Sequence, residues 1–330
     1  MIPFIILILI NLNIVFCSKK SFGKTLPATL TGTTVLIYFS QLLFGTFNIG
    51  ILLCLGLAIM GVVLLIWRRK DRDFLARCFS VGIWSFLAIF LFFLIMDYGR
   101  FLSTWDEYSH WGKMVKEMLR IDRFYSEPQS NLLVHKDYPP FAVVFEMFWC
   151  RLSLGYTEGA VTTALHVFGF SMILPPVFEQ FKCRERDGKL QRFFGQLVLV
   201  VICLLLIFNF DYIQAMTINV DLFLALFYAS MIMMISDREF CRSGLGFATL
   251  LIGQFGIILT KQMGIAFALL VWFFYTMSEV LQVKERGSDT AQGRLILGSE
   301  SLLMLVVPII SYLIWNNYIS GLGLTGAIRS

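Results

Sequence analysis

The sequence is poor in charge. Only 15% of its 330 residues are Asp, Glu, Lys or Arg, and 58% are hydrophobic, whereas a soluble domain has about 25% charged and about 45–50% apolar residues. This shortage of charge excludes a water-soluble globular protein, and it excludes intrinsic disorder because too little of the chain is polar. The apolar residues lie in long blocks and do not alternate, which favours membrane helices over a β-barrel.

Common cofactor and catalytic signatures are also missing. The chain has no GxxxxGK[ST] loop, no GxGxxG after a predicted strand, and neither GxSxG nor HExxH. No CxxC occurs among its seven cysteines, which lie mainly within or beside apolar stretches and are therefore predicted to be small buried residues. If the chain is an enzyme, its group donor does not come from a soluble nucleotide-binding module.

What the sequence does contain is a series of apolar segments. A helix needs about 20 apolar residues to cross a bilayer. Candidate spans lie near residues 1–17, 28–47, 48–67, 78–97, 158–181, 193–210, 221–236, 244–260, 263–282 and 296–315. The sequence therefore predicts an all-α fold, a polytopic transmembrane bundle of about ten spans, in which the first segment is a retained helix and not a signal sequence.

The basic residues predict the direction of the spans. Net charge is +5, and the Lys and Arg residues form short clusters near positions 19–24, 68–72, 182–192, 238–242 and 284–294. Cytoplasmic loops collect such residues, so we place these clusters inside; their position beside apolar spans gives no support for nucleic-acid binding. The longest connection, about residues 98–157, then faces outward, provided that the apolar segment 140–154 does not cross. We predict that this segment is an interfacial or re-entrant helix.

The first part of this outer loop has helical spacing. Apolar residues recur at positions 105, 108, 111, 114/115 and 118/119, which predicts one apolar stripe on a helix that lies flat on the membrane. Trp105, Tyr108 and Trp111 would anchor it at headgroup depth. The opposite, polar face holds Asp106, His110, Lys113, Glu117 and Arg120.

Asp106, Glu107 and His110 are the candidate catalytic residues. Each carboxylate is three or four positions from the imidazole, so either pair can meet on one helix face. Such a group can form a general base with an orienting partner, or Asp106 and Glu107 can form part of a divalent-metal site. A solvated polar face on an interfacial helix predicts the same pattern, and nothing in the sequence requires a metal.

Further polar residues are candidates for binding a substrate or a lipid phosphate. His135, Asp137 and Tyr138 precede a Pro-Pro pair at the end of the loop, where an ordinary turn is the alternative. Asp221 begins a predicted span at its outer end, where it also suits the helix dipole. Lys261 lies in a tight outer hairpin, against the positive-inside bias, and Arg100 follows another outer helix end; either cation can face a lipid phosphate.

These features resemble the polytopic glycosyltransferases of the C superfamily, which use polyprenyl-phosphate-linked sugars. The likeness covers about residues 78–320 and rests on the acidic pair at 106–107, the prolines at 139–140, Asp221 and Lys261. The superfamily includes the protein O-mannosyltransferases and the aminoarabinose transferases of lipid A, and the likeness is greatest to uncharacterised bacterial envelope members with a WDE…W-type first loop. It divides the chain into N-terminal helices, residues 1–77, and a transferase-like core, residues 78–330.

The resemblance implies transfer of a sugar from a polyprenyl-phosphate donor to an envelope glycan, lipid or protein on the outer face of a bacterial plasma membrane. Asp106 would be the general base, oriented by Glu107 or His110, and Lys261, Arg100 or a divalent ion would stabilise charge on the leaving phosphate. The rival interpretation is a transporter or a flippase for lipid-linked glycans. That class favours charges and broken helices near the bilayer midplane, often in repeated halves, whereas these charges cluster at the predicted outer surface.

Overall fold

The structure is a computed structural model that describes residues 1–180, 217–285 and 291–324, and in these ranges its regular elements are all helical. The predicted all-α class is thus confirmed for the described residues. The helices are α1 Ile2–Ser18, α2 Phe22–Phe44, α3 Asn48–Trp67, α4 Arg72–Cys78, α5 Val81–Met96, α6 Gly112–Ile121, α7 Phe141–Leu152, α8 Glu158–Ser171, α9 Leu174–Gln180, α10 Val220–Ser236, α11 Arg238–Cys241, α12 Gly244–Ile258, α13 Gly264–Glu285 and α14 Ala291–Gly321. A π-helical turn, Glu107–Trp111, leads directly into α6.

Six stretches of the described chain are long and apolar enough to cross a membrane: Phe22–Phe44, Asn48–Trp67, Arg72–Met96, Glu158–Glu179, Gly264–Leu281 and Leu297–Gly321. These candidate spans support an integral membrane protein. Three shorter apolar helices, α1, α10 and α12, coincide with further predicted spans. The predicted span at 193–210 lies outside the described residues, so the total of about ten remains a prediction.

Helix α2 lies at the centre of this bundle. It packs against α1, α3, α5, α7, α9 and α12. Polar groups along its contact with α1 satisfy one another: the Thr29 hydroxyl donates to Asn11 Oδ1 at 2.6 Å, and Asn11 Nδ2 donates to the Phe22 carbonyl at 2.9 Å. This pairing explains how an asparagine is accommodated in an apolar helix, because an unpaired polar group away from water costs free energy.

One carboxylate joins three helices at the end of the bundle where the sequence is rich in basic residues. Glu179 of α9 accepts hydrogen bonds from the backbone N–H groups of Gly23, at 2.9 Å, and Lys24, at 3.0 Å, in the first turn of α2. It also accepts from the N–H of Gly82 in α5, at 3.2 Å, and from the hydroxyls of Ser21 and Ser80. First-turn N–H groups have no partner within their own helix, so Glu179 caps α2 and α5 together.

The two ends of the bundle differ in charge. At the end that we call the basic end, Lys20 pairs with Glu239 at 2.7 Å and Lys24 pairs with Asp237 at 2.6 Å. The sequence clusters at 19–24 and 238–242 therefore share one end, as the positive-inside pattern predicted. The opposite end, which we call the loop end, carries residues 97–140, 217–219 and Lys261.

Helix α7 is enclosed by protein. All of residues 141–150 are buried, the helix packs against α2, α6 and α8, and the Phe141 N–H donates to the Leu259 carbonyl at 2.7 Å. Its 12 residues extend about 18 Å, which is less than the roughly 30 Å of a hydrocarbon core. The length agrees with a segment that does not cross, and the enclosure favours the re-entrant over the interfacial alternative.

Candidate functional site

The segment that the sequence predicted as a flat surface helix buries part of its polar face, while Asp106 and Arg120 on that face are exposed. Trp105 and Tyr108 are exposed as expected, but Trp111 is only 4% exposed and belongs to the core. His110 and Glu117, expected on a solvated face, are buried. A hydrogen bond from the N–H of Ile218 to Glu107 at 3.0 Å joins the π-turn to the segment before α10.

Glu107 is a fully bonded carboxylate. Its side chain is completely buried, and one oxygen accepts from the backbone N–H groups of Ser103, at 2.9 Å, and Thr104, at 2.8 Å, while the other accepts from Ile218. Burial by itself raises the pKa of Glu107, but the N–H groups of Thr104, Ser103 and Ile218 outweigh burial and leave this pKa below its ordinary value. These bonds join the start of the long loop to the start of α10.

Asp106 has the opposite surroundings, although it is the adjacent residue. Its side chain is exposed, so its oxygens are accessible to a ligand. Within the described residues, no group of three or more His, Cys, Asp or Glu side chains is placed to hold a metal ion. The predicted pairing of Asp106 with Glu107 around a metal would require Glu107 to give up backbone hydrogen bonds.

The rings of His110, His135 and Tyr138 pack against one another at the loop end. The ring centroids of His110 and His135 are 4.6 Å apart, those of His135 and Tyr138 are 4.4 Å apart, and those of His110 and Tyr138 are 5.8 Å apart. The π-turn supplies His110, and the turn before the Pro-Pro pair supplies His135 and Tyr138. The structure thus brings together two groups that are separated by about 25 positions in the sequence.

The turn that carries His135 is held in an unusual conformation. His135 has φ of 58°, in the left-handed region that non-glycine residues rarely occupy. Two hydrogen bonds fix the backbone just after it: Trp315 Nε1 of α14 donates to the Asp137 carbonyl at 2.8 Å, and the Tyr125 hydroxyl donates to the Tyr138 carbonyl at 2.6 Å. Helix α14 therefore positions predicted site residues that lie far from it in the sequence.

The surroundings of His110 favour a neutral imidazole. Burial, followed by His135 and Lys261, lowers the pKa of His110 to about 4, and the nearby charge of Asp106 opposes this shift only in part. The Nδ1 atom of His110 lies 2.9 Å from the hydroxyl of Ser109. At neutral pH this imidazole can donate or accept a hydrogen bond without carrying a charge.

An ion pair borders the rings. Lys261 Nζ, between α12 and α13, is 2.6 Å from Asp221 Oδ1 in the first turn of α10, and the two side chains are 30% and 60% exposed. Exposed pairs of this kind contribute only about 0–1 kcal/mol, so an anionic ligand can separate them at low cost. The Asp221 charge also acts on Tyr138. Burial, and then the charges of Asp137, Asp106 and Asp221, raise the pKa of Tyr138.

The residues that meet at this point form what we call the loop-end cluster. Six predicted site residues belong to it, and they come from four separate segments: Asp106, His110, His135, Tyr138, Asp221 and Lys261. Asp137 lies in the same turn as Tyr138, and its Oδ1 atom is buried with no hydrogen-bond partner among the described residues. Glu107 is not part of the cluster, because both of its carboxylate oxygens accept hydrogen bonds from backbone N–H groups.

Arg100 has a different environment. It lies 3.3 Å from the buried carboxylate of Asp97, whose other oxygen is 3.0 Å from His166 Nδ1. Sequence reasoning did not place Asp97 at the site and did not connect it with His166. An acidic residue directly after an apolar span, followed by a histidine inside a later span, was the signal that could have linked them.

Neither protein-family models, nor curated proteins, nor solved structures give a match to this chain, so the function must be argued from the loop-end cluster itself.

Proposed function

We propose that this chain is a membrane glycosyltransferase that moves a sugar from a polyprenyl-phosphate donor to a cell-envelope acceptor, with Asp106 as the general base. The main support for the proposal is that the exposed carboxylate of Asp106 lies in the same cluster as the cation of Lys261. Lys261 is held there by a partly exposed ion pair with Asp221. Glycosyl transfer from a lipid phosphate needs both groups, a base for the acceptor hydroxyl and a cation for the departing phosphate.

The reaction follows from these two roles. Asp106 accepts the proton of the acceptor hydroxyl as the hydroxyl oxygen attacks the anomeric carbon. The bond between that carbon and the phosphate oxygen breaks, and the electron pair leaves with the polyprenyl phosphate. Lys261, released from Asp221, stabilises the negative charge that develops there. Attack from the face opposite the phosphate inverts the anomeric centre.

His110 supports this assignment as the orienting group. Of the two partners that the sequence suggested for Asp106, Glu107 has both oxygens engaged by backbone N–H groups. The neutral imidazole of His110 is close enough for Asp106 to influence its pKa. Its position between Asp106 and the rings of His135 and Tyr138 suits it to hold the acceptor hydroxyl or the base by a hydrogen bond.

The proposal also assigns a side of the membrane. Two of the basic clusters meet at the end remote from the loop-end cluster, through the pairs Lys20–Glu239 and Lys24–Asp237. Because basic clusters favour the cytoplasm, we place the loop-end cluster on the outer face of a plasma membrane, in a bacterial envelope.

A reconstituted assay tests the proposal. Proteoliposomes with wild-type protein would receive a panel of polyprenyl-phosphate hexoses and pentoses together with an envelope extract as acceptor, and covalent products would be measured by mass spectrometry. We expect Asp106→Asn to reduce transfer by about 10²–10⁴-fold, the usual contribution of general-base catalysis. The matched control is Asp73→Asn, an exposed acid in the first turn of α4, which should retain full transfer.

Two results would reject the proposal. One is equal transfer by wild type and Asp106→Asn. The other is movement of the lipid-linked sugar across the bilayer with no covalent product, which would favour the transporter or flippase interpretation.

A further inference from the structure

A large groove lies beside the loop end, separate from the loop-end cluster. Its volume is about 750 Å³, and none of the six cluster residues lines it. One part of its wall is apolar and comes from the membrane helices: Phe90 and Leu94 of α5, Trp149 of α7 and Ala160 of α8. The other part is polar: Arg100, Lys116, Tyr156 and Glu158.

The groove continues beneath helix α6. A second hollow of about 240 Å³ shares Lys116, Tyr156 and Glu158 with the first, and Tyr108, Gly112 and Lys113 also line it. Residues four apart lie on one face of a helix, and a residue two positions away points elsewhere. Tyr108 and Gly112 thus face the groove while His110 faces the cluster, so the π-turn separates the two sites.

The groove and the second hollow are lined by three cations, Arg100, Lys113 and Lys116, and two carboxylates, Asp97 and Glu158. Arg100 lies 3.3 Å from Asp97, so the two lysines are the cations available to a ligand. Neither Lys113 nor Lys116 forms an ion pair with another described residue, and Lys116 Nζ lies 4.6 Å from the centre of the Tyr156 ring. One oxygen of Glu158 accepts from the Leu102 N–H at 2.7 Å. The Tyr156 hydroxyl is buried and has no hydrogen-bond partner in the described part of the chain. Two ammonium groups and a phenol without a partner among the described residues are donors that suit a phosphate.

The apolar part indicates what the phosphate is attached to. Helices α5 and α8 belong to the candidate spans Arg72–Met96 and Glu158–Glu179, so an acyl chain held between them extends into the bilayer. A soluble sugar has no comparable apolar surface to bury there, whereas a lipid already has its chain at this depth. The combination fits an amphiphile with a phosphate-bearing headgroup.

We propose that this groove binds a phospholipid-type amphiphile as the acceptor of the transferred sugar. This inference rests on the proposed function, in which the donor phosphate is bound at Lys261, on the other side of the π-turn. The acceptor headgroup lies along Lys116 and Lys113. Asp106 directly precedes the π-turn that carries Tyr108 of the groove wall, so a headgroup hydroxyl that extends past this turn reaches the base. The enzyme then moves the sugar from one lipid to another and releases the polyprenyl phosphate, and the glycosylated product stays in the lipid fraction.

Photolabelling of the full chain tests the binding site independently of catalysis. The protein would be placed in phosphatidylcholine nanodiscs with dodecyl phosphate that carries a diazirine in its chain, or with the matched dodecyl alcohol. We expect labelled peptides from residues 90–101 and 149–163, with about ten-fold more label from the phosphate, because each charge-assisted hydrogen bond is worth about that factor.

The variants locate the headgroup and the chain. Lys113→Gln together with Lys116→Gln should reduce the phosphate label to the level of the alcohol. Arg123→Gln, an exposed cation of the same loop that does not line the groove, is the matched control and should change nothing. Ala160→Trp should fill the apolar part and reduce the label from both probes. Equal labelling by the two probes, or label confined to other peptides, would overturn the site.

Competition separates the two lipid classes. Unlabelled phosphatidylglycerol should displace the probe about ten-fold better than a long-chain isoprenoid phosphate if the groove holds the acceptor. The reverse order would assign the groove to the donor and overturn the acceptor proposal. Asp106→Asn should be labelled normally. If this variant loses transfer but keeps its label, the binding site stands whatever the role of Asp106. If Lys113→Gln with Lys116→Gln loses the label but keeps full transfer, the groove does not bind the acceptor, and the proposed function is unaffected.

Discussion

Replacing Glu107 with glutamine should destabilise the protein, whereas the corresponding change at the adjacent acid should not. Glu107 is completely buried and accepts three backbone hydrogen bonds. Glutamine keeps one acceptor oxygen but presents an NH₂ group in place of the other, so at least one backbone N–H faces a donor. Asp106 is exposed, and asparagine fits there equally well.

The structure sets the size of the effect. A hydrogen bond to a charged group contributes about 1.5–3 kcal/mol, and leaving a buried donor unpaired adds about 1–3 kcal/mol. We therefore expect Glu107→Gln to reduce the free energy of unfolding by about 3 kcal/mol, which corresponds to a fall in Tm on the order of 5–10 °C. Asp106→Asn should leave Tm within about 1 °C of wild type, because surface changes usually have small effects.

The pH dependence of Tm gives a second, independent test of the hydrogen bonds that Glu107 accepts. The pKa of Glu107 lies below its ordinary value of 4.5, so its contribution is complete above pH 4.5 and is lost as the pH falls through the pKa of the folded state. The difference in Tm between wild type and Glu107→Gln should be constant from pH 6 to 8 and should shrink in acid.

Thermal unfolding in detergent, followed by intrinsic tryptophan fluorescence at each pH, measures these differences. A Tm for Glu107→Gln equal to that of wild type at pH 7 would show that this carboxylate does not hold the loop to α10, and the distinction between the two acids would fail.

Three other predictions concern different parts of the molecule. Burial lowers the pKa of His110 from 6.5 to about 4, so between these pH values the unfolded chain binds a proton at His110 and the folded chain does not. Wild type should therefore lose stability as the pH falls through this interval. His110→Gln should lose less, and Tm measured against pH tests this difference. Lys261→Gln should leave Tm nearly unchanged, since its pair with Asp221 is partly exposed, but should lower transfer and raise KM for the donor; unchanged kinetics would remove the lysine from the site. Gly61→Ala would place a methyl group against the backbone of α1 and should cost about 1–3 kcal/mol, whereas Gly56→Ala, which meets nothing nearby, should be neutral; equal Tm values for the two variants would contradict the close packing of α1 and α3.

The sequence was most informative about the membrane helices. Long apolar runs predicted helices at nearly the right positions because burial of apolar side chains in lipid needs no knowledge of tertiary contacts. The same runs could not show that the bundle encloses α7. Its Glu146 is only 2% exposed, although an acidic residue in a short apolar segment would by itself suggest contact with water.

The candidate site was predicted in its composition but not in its arrangement. The sequence placed Asp106 and Glu107 side by side, but it could not show that Glu107 also bonds to Ile218, over a hundred positions away, while Asp106 stays exposed. Helical periodicity predicted that His110 would face water, because the pattern of the segment does not reveal that its polar side docks on the protein. Long-range contacts of this kind have no local signal.

The most direct test of the central claim needs no knowledge of the sugar. The gene would be deleted in its host, and the strain complemented with wild type or Asp106→Asn at matched membrane abundance and matched Tm. Cell-surface glycans and lipids would then be analysed by mass spectrometry. We predict that one sugar mass disappears on deletion and that only wild type restores it. Equal restoration by Asp106→Asn would contradict the role of Asp106 as the base, and an unchanged glycan and lipid profile on deletion would contradict the glycosyltransferase proposal itself.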